Sequence, residues 1–173
     1  MELPVYKCQI DETLESDLQV EFVALLDRPA IEKNFMAFEE AKKTPLHFEV
    51  NEDRHIITGP AMLADLLIYR NDEHFGEYYT MFDKQSIYAI VQKFFKKGFN
   101  QNFNLFHDPL LTANEGVTMF ESFITDKERG IMPMKGFEDV ADGSWFISAK
   151  IDNEEIWQKV KDGTLKGFSV EGI

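Results

Sequence analysis

A serine near the end of the printed sequence, Ser169 in the stretch "KGFSVEG", is of a residue type that can act as a catalytic nucleophile. Strand alternation places Phe168 and Val170 on one face and Ser169 with Glu171 on the other. If the apolar pair points inward, the outer face holds either a nucleophile or an ordinary surface serine. The stretch does not match the G-x-S-x-G elbow of α/β-hydrolases, because its second glycine comes one residue too late. Ser169 is therefore a candidate nucleophile that needs a base to activate it.

Histidine is the natural base for a serine hydroxyl, because its unperturbed pKa is about 6.5. His107 ends the predicted strand "FNLFHDP", and alternation groups it with Phe103 and Leu105. The histidine is either the base for Ser169 or a structural residue at the end of a strand.

A third group could orient the imidazole of such a base. Asp108 is too near His107 in sequence to aim easily at its ring. Glu121, inside the apolar stretch "MFESFI", needs a partner if it is buried and otherwise faces solvent. Its neighbour Ser122 points to the opposite face. His107, Glu121 and Ser169 thus form a possible triad that spacing alone does not establish.

Metal, nucleotide and disulfide chemistry find little support in the residue pattern. No two of the four histidines stand four residues apart on a helix, and no glycine-rich phosphate loop is present. The one cysteine, Cys8, excludes an intrachain disulfide and a thiolate metal cluster. We expect neither a cofactor nor a metal ion.

The charge balance argues against two classes of partner. The net charge of −13 disfavours binding to the phosphates of nucleic acids and to anionic membranes. The one cluster of positive charge, formed by Lys93, Lys96 and Lys97, lies at the end of a predicted helix, where the helix dipole favours cations. No apolar stretch approaches the ~20 residues that span a bilayer, and no signal peptide is visible.

Hydrophobic periodicity predicts two helices. Apolar residues in "DKQSIYAIVQKFFKKGF" recur at helical spacing, with Asp83 as the N-cap and Gly98 just past the end. The stretch "DNEEIWQKVKDG" predicts a short helix in which Asp152 and Glu155 resemble a capping box and Gly163 ends the helix.

The other strong signals are strands. A run from His55 is predicted to close at Gly59-Pro60. Further β-rich runs are "EYYTMF", "FNLFHDP", "GVTMFESFITD", "GSWFISAKID" and the final "LKGFSVEGI". This pattern predicts a β-rich α+β fold, a barrel or sandwich decorated by helices. We divide the chain into an N-terminal segment, residues 1–50, and a main domain, residues 51–173.

From about residue 55 onward, the chain resembles the XkdF-like branch of phage prohead maturation proteases. The likeness is carried by residues 104–108 in "GFNQNFNLFHDP", by residues 121–122 in "GVTMFESFITD", and by the W-x-K-V-K-x-G-x-x-x-G-F-S block of residues 157–169. Any one of these three sequence matches is weak evidence for the family, but all three in the same order are specific for it.

The resemblance implies an assemblin-like fold, a distorted β-barrel wrapped by helices, as in herpesvirus maturation proteases. It implies a serine endopeptidase with Ser169 as nucleophile and His107 as base. Glu121 is the choice for the orienting acid, with Ser122 as the fallback. The implied substrates are the scaffold and major capsid proteins inside the procapsid, assembled in the host cytoplasm, and the protease itself can form a homo-oligomer.

Two functions other than a protease remain open. Proteases of this type continue beyond the nucleophile, so the chain is either part of a longer protease or a non-catalytic head component that keeps the protease fold. The other alternative to a protease is an acidic, β-rich binding domain unrelated to phages.

Overall fold

The secondary structure is dominated by strands. The structure, a computed structural model, describes residues 2–16, 18–26, 47–52, 54–106, 108–113 and 115–172. The strands are β1 (Val5–Lys7), β2 (Phe22–Leu26), β3 (Glu49–Asn51), β4 (Ile56–Ala64), β5 (Ile68–Asp72), β6 (Gly76–Met81), β7 (Phe103–Leu105), β8 (Asp108–Thr112), β9 (Val117–Ile124), β10 (Ala141–Ile151) and β11 (Gly167–Glu171). The helices are α1 (Lys84–Lys96) and α2 (Glu154–Lys161), with 3-10 turns at Phe99–Gln101 and Lys127–Arg129.

These strands form three sheets. Their strand orders are β1-β6-β5, β3-β4-β10-β9 and β11-β2-β7-β8. The predicted β-rich α+β fold is confirmed, although none of the sheets built from the described strands closes into a barrel. Within the described ranges, no helix is both long enough and apolar enough to cross a membrane.

One hydrophobic core joins the two four-stranded sheets. The β3-β4-β10-β9 sheet contributes Ile147 and Ala149, and the β11-β2-β7-β8 sheet contributes Leu25 and Phe168. Helix α1 packs on the same core, where Phe94 lies edge-on to Trp145 with ring centroids 5.5 Å apart. The two sheets therefore face each other across this core, and the residues that alternate with core residues point away from it.

The ends of α1 are set by local signals, as predicted. The Asp83 carboxylate accepts a hydrogen bond from the Ser86 N–H (2.8 Å), which satisfies one of the free amides of the first turn. After the C-cap residue Lys97, Gly98 adopts φ +75°, the left-handed conformation that ends many helices. Both predicted boundary residues are confirmed.

The cap of α1 makes stability depend on pH. The Lys7 ammonium beside Asp83, together with the Ser86 N–H, lowers the pKa of that carboxyl from 3.8 to about 2. A depressed carboxyl pKa contributes stability above the unfolded-state value and loses it as pH falls through the folded-state value. We expect Asp83→Asn, which keeps a capping oxygen, to be less stable than the wild type at pH 7, with the difference closing between about pH 4 and pH 2. Urea unfolding at several pH values measures this difference, and a constant difference would contradict the assignment.

One cation of the predicted basic cluster is buried. Lys93 in α1 donates from Nζ to the Asp11 carbonyl (2.8 Å) and the Leu18 carbonyl (2.9 Å). These hydrogen bonds offset the cost of burying an ammonium group. Through these two hydrogen bonds, Lys93 links the N-terminal segment to helix α1.

The N-cap of helix α2 lies one residue later than predicted. Asn153, rather than Asp152, is the N-cap, and its Oδ1 accepts from the Ile156 N–H (3.1 Å). The Asp152 backbone N–H instead donates to the Gly116 carbonyl (2.7 Å), which holds Asp152 outside the helix.

The predicted end of a strand at Gly59-Pro60 is wrong, since β4 continues to Ala64. Pro60 is accommodated where the pairing of β4 with β10 shifts register, between Trp145 and Phe146. Gly59 is required for space, because a Cβ there would lie 2.8 Å from the Phe48 Cα.

The first 50 residues contribute directly to the sheets. Strand β1 pairs with β6, and β2 lies between β11 and β7. The strand that carries Ser169 therefore pairs with a strand from the N-terminal segment.

Candidate active site

Ser169 lies in the middle of β11 and points away from the core. Its neighbour Phe168 is buried in the core, 5.4 Å from Phe48 between ring centroids, and Val170 packs against the same core. Ser169 is half-buried on the opposite face of the strand, as alternation predicted.

Two side chains lie in the same row of the sheet as Ser169. Ser169 pairs with Ala24 on β2, and Ala24 pairs with Asn104 on β7. Directly paired residues project to the same face, so Ser169, Ala24 and Asn104 share the face away from the core. Ala24 and Asn104 are both fully buried.

Asn104 links this row to a carboxylate. Its Nδ2 donates to Glu171 Oε2 (2.6 Å), a contact between residues 67 positions apart in the sequence. The short distance is typical of a hydrogen bond to an ionised acceptor. Nδ2 and Oδ1 can be told apart here, because a carboxylate requires a donor opposite it.

The other end of the Asn104 amide lacks a partner within the described part of the chain. Oδ1 is buried, and no described residue forms a hydrogen bond with it. An unpaired buried acceptor costs roughly 1–3 kcal/mol, and such groups in native structures often have a functional reason.

His107, the predicted base, lies outside the described residues. β7 ends at Leu105 and β8 begins at Asp108, and these two residues pair. Phe106, which follows β7, has φ +56° and donates its backbone N–H to the Leu25 carbonyl (3.0 Å). A positive φ is strained for a bulky residue.

Glu121 lies on the other four-stranded sheet. Its Oε2 accepts a hydrogen bond from Ser148 Oγ (2.5 Å), and the Thr58 hydroxyl lies 2.9 Å from the same serine. Because Ser148 gives its one proton to the carboxylate, Thr58 is the donor in the second contact. Glu121 is solvent-exposed, and its carboxylate caps a row of hydroxyls across β4, β10 and β9.

Ser122 faces the opposite way, as predicted, and has a structural partner. Its Oγ accepts a hydrogen bond from Trp145 Nε1 (2.8 Å). This contact satisfies the indole N–H of a fully buried tryptophan.

The fold does not bring Glu121 and Ser169 onto one face. Ser148, the partner of Glu121, stands between the core residues Ile147 and Ala149 and therefore points away from the core. Ser169 points away from the same core on the facing sheet. The core separates the two side chains, and the assignment of Glu121 as orienting acid stays a prediction.

The sequence analysis missed Asn104 and gave Glu171 no role. Alternation already placed Glu171 on the face of Ser169, which was the available signal for that carboxylate. Asn104 stood inside the stretch that carried the resemblance, but nothing local indicated that β7 and β11 lie two strands apart in one sheet.

Comparison with known proteins gives a match to a protein family. The family model described as "Putative phage serine protease XkdF" matches residues 50–173, most of the chain. No curated protein and no solved structure matches the chain. The matched range contains His107, strand β11 with Ser169, and both Asn104 and Glu171.

Proposed function

The chain belongs to the XkdF family of phage serine proteases, and we propose that it is an endopeptidase that matures the phage prohead. Its substrates in this proposal are the scaffold protein and the extensions of the major capsid protein, cleaved inside the procapsid. The observation that carries the proposal is the position of Ser169: a half-buried serine on the outer face of a strand, in a row with the buried polar side chain of Asn104, within the matched range.

The proposed reaction is acyl transfer with Ser169 as nucleophile and His107 as base. His107 takes the proton of the Ser169 hydroxyl as Oγ attacks the scissile carbonyl. The C–N bond then breaks, and the proton passes from the imidazolium to the leaving amine. Water, activated by the same imidazole, hydrolyses the acyl-enzyme and frees Ser169. No metal ion or cofactor takes part in these steps.

Covalent labelling tests this proposal without a known substrate. In the reaction with a fluorophosphonate, Ser169 Oγ bonds to phosphorus, fluoride leaves and the base takes the proton. We expect labelling of the wild type at Ser169, with a rate that rises with pH, because only a neutral imidazole can accept the proton of the Ser169 hydroxyl. His107→Ala should abolish labelling, and peptide mass spectrometry identifies the modified residue.

A second outcome would favour a different function. If the folded wild-type protein is not labelled at any pH, the serine is not activated. The chain would then be a structural component of the phage head that keeps the protease fold, and it would be found in mature particles in stoichiometric amount.

A further inference from the structure

A groove with a volume of about 680 Å³ runs between helix α1 and strand β9, and we call it the α1–β9 groove. It is lined on the helix side by Tyr88, Val91, Gln92 and Phe95, and on the strand side by every residue from 119 to 124. Helix residues three and four positions apart share one face, so α1 presents a single stripe to the groove. Consecutive strand residues point to opposite faces of a sheet. A groove that touches all of them therefore runs along the edge of β9.

The edge of β9 that faces away from β10 carries unpaired backbone groups. β9 is the last strand of its sheet. In an antiparallel ladder, successive residues direct their N–H and C=O groups alternately toward the partner strand and away from it. The Thr125 N–H donates to the Ser144 carbonyl (2.9 Å), toward β10, so Ile124 and Ser122 direct their backbone groups outward. No described residue forms a hydrogen bond with these outward groups.

A side chain already occupies one position of this edge. Gln101 donates from Nε2 to the Met119 carbonyl (2.9 Å), and its Oε1 accepts the Met119 N–H (3.1 Å). These are the two hydrogen bonds that a residue of an adjacent strand would make. The register of β9 against β10 shifts between Met119 and Glu121. The edge is therefore satisfied at Met119 and open at Ser122 and Ile124.

The open backbone groups and the walls of the groove fit an extended polypeptide. A peptide that adds to a sheet edge as a strand satisfies the free N–H and C=O groups and places alternate side chains in an adjoining groove. Phe95 is 40% exposed and Phe120 is 55% exposed, and both line the groove. Their rings supply apolar surface that the inward side chains of such a peptide would cover.

The charges at one end of the groove favour a partner with an acidic side chain. Arg129 lines the groove just beyond β9, and 65% of its side chain is exposed. Asp126, 4.0 Å from its guanidinium, also accepts from the Tyr88 hydroxyl (3.3 Å) and lies 3.6 Å from the Lys84 ammonium. Arg129 therefore keeps donors for an incoming carboxylate. A second copy of the chain is less favoured as the occupant, because two copies that each carry a net charge of −13 repel each other.

We propose that the α1–β9 groove is a docking site that binds an extended segment of another protein as an additional strand on β9. Apolar side chains of the segment pack on Phe95 and Phe120, and an acidic side chain pairs with Arg129. The groove belongs to the β3-β4-β10-β9 sheet, whereas Ser169 lies on the facing sheet. The inference therefore does not rest on the proposed function.

The probe for this site is a library of random eight-residue peptides selected for binding to the wild-type chain. We expect selected peptides to carry apolar residues at alternate positions and an acidic residue near one end. Phe95→Ala and Phe120→Ala should each weaken their binding by about tenfold or more, as loss of an aromatic anchor does in other interfaces. Phe75→Ala is the matched control, because Phe75 is an aromatic residue that is 73% exposed in the turn between β5 and β6. The control should bind the peptides like the wild type.

The acidic residue of the selected peptides is tested against Arg129. Replacing it by its amide should weaken binding to the wild type, and the same replacement should have little effect on binding to Arg129→Gln. An equal loss in both proteins would show that the carboxylate does not pair with Arg129.

Hydrogen exchange on the wild-type chain separates strand addition from simple burial of apolar side chains. Bound peptide should slow exchange of the Ser122 and Ile124 amides, which point outward. The Phe123 amide points toward β10 and should exchange slowly with or without peptide. N-methylation of the peptide at alternate amides should abolish binding in one register and preserve it in the other, since only one set of amides faces β9. Binding that leaves the Ser122 and Ile124 amides unprotected would overturn strand addition.

Two further outcomes would also overturn the proposal. One is a selection that yields no peptide sensitive to Phe95→Ala or Phe120→Ala, in variants whose thermal unfolding matches the wild type. The other is a dimer, seen by sedimentation, that Phe120→Ala dissociates, because a second copy would then occupy the groove. Labelling of Ser169 is measured separately, so failure of the docking site leaves the proposed function standing, and the reverse also holds.

Discussion

Replacement of Ser169 by alanine is expected to lower the rate of proteolytic processing by about 10⁴–10⁶-fold, the order of loss seen when a serine protease loses its nucleophile. The physical reason is that no acyl-enzyme forms without the Ser169 hydroxyl. The remaining site can only bind substrate and polarise the scissile carbonyl. Stability should change little, because Ser169 is half-buried on the outer face and the core residue Phe168 is untouched.

Processing is measured by co-expressing the chain with the scaffold and capsid proteins proposed as its substrates and following their cleavage with time. Ser16→Ala is a matched control, because Ser16 lies in a turn of the N-terminal segment where its hydroxyl accepts the Leu18 N–H (3.2 Å). The control should process at the wild-type rate. Unchanged processing by Ser169→Ala would rule out Ser169 as the nucleophile.

Replacement of Trp145 by alanine is expected to have the largest effect on stability, a loss of roughly 3–5 kcal/mol. Trp145 is fully buried in β10, packs on Phe94 of α1 and donates its indole N–H to Ser122. The substitution leaves a cavity between the helix and the sheet and removes the donor for the Ser122 hydroxyl. Such a loss is a large share of the 5–15 kcal/mol that stabilises a typical domain.

Urea unfolding of the wild type, Trp145→Ala and Trp145→Phe measures this effect. The phenylalanine variant keeps a ring against Phe94 and loses the hydrogen bond, so its destabilisation should be clearly smaller. A loss below about 1 kcal/mol for Trp145→Ala would mean that the core repacks around the site. Trp145→Ala and Ser169→Ala therefore form a pair in which one variant loses stability and the other loses activity.

The elements that the sequence predicted well depend on contacts between close neighbours in the chain. Helix α1 could be bounded from its own residues because Asp83 caps the amide of Ser86 three residues on, and Gly98 supplies the left-handed conformation at the end. The strand through Gly59-Pro60 could not be predicted in the same way. A partner strand with an irregular register accommodates Pro60, and the distant Phe48 requires Gly59.

The face on which the candidate nucleophile Ser169 lies was also within reach of the sequence. Alternation in "GFSVE" separates Phe168 and Val170 from Ser169 and Glu171, because side chains of a strand point to opposite sides in turn. The family resemblance from residue 55 onward agrees with the family match over residues 50–173. These conclusions needed only residue types and their order.

The contacts of the Glu121 and Glu171 carboxylates were decided by the tertiary structure alone. Alternation already placed Glu171 on the face of Ser169, but nothing local in the sequence indicated which groups would contact either carboxylate. The sheet order β11-β2-β7 brings Asn104 beside Glu171. The pairing of β9 with β10 instead places Glu121 in a hydrogen bond with Ser148, on the other four-stranded sheet. Strand pairing between distant segments depends on how the two sheets pack on one core. The sequence of a single strand therefore does not indicate which other strand will pair with it.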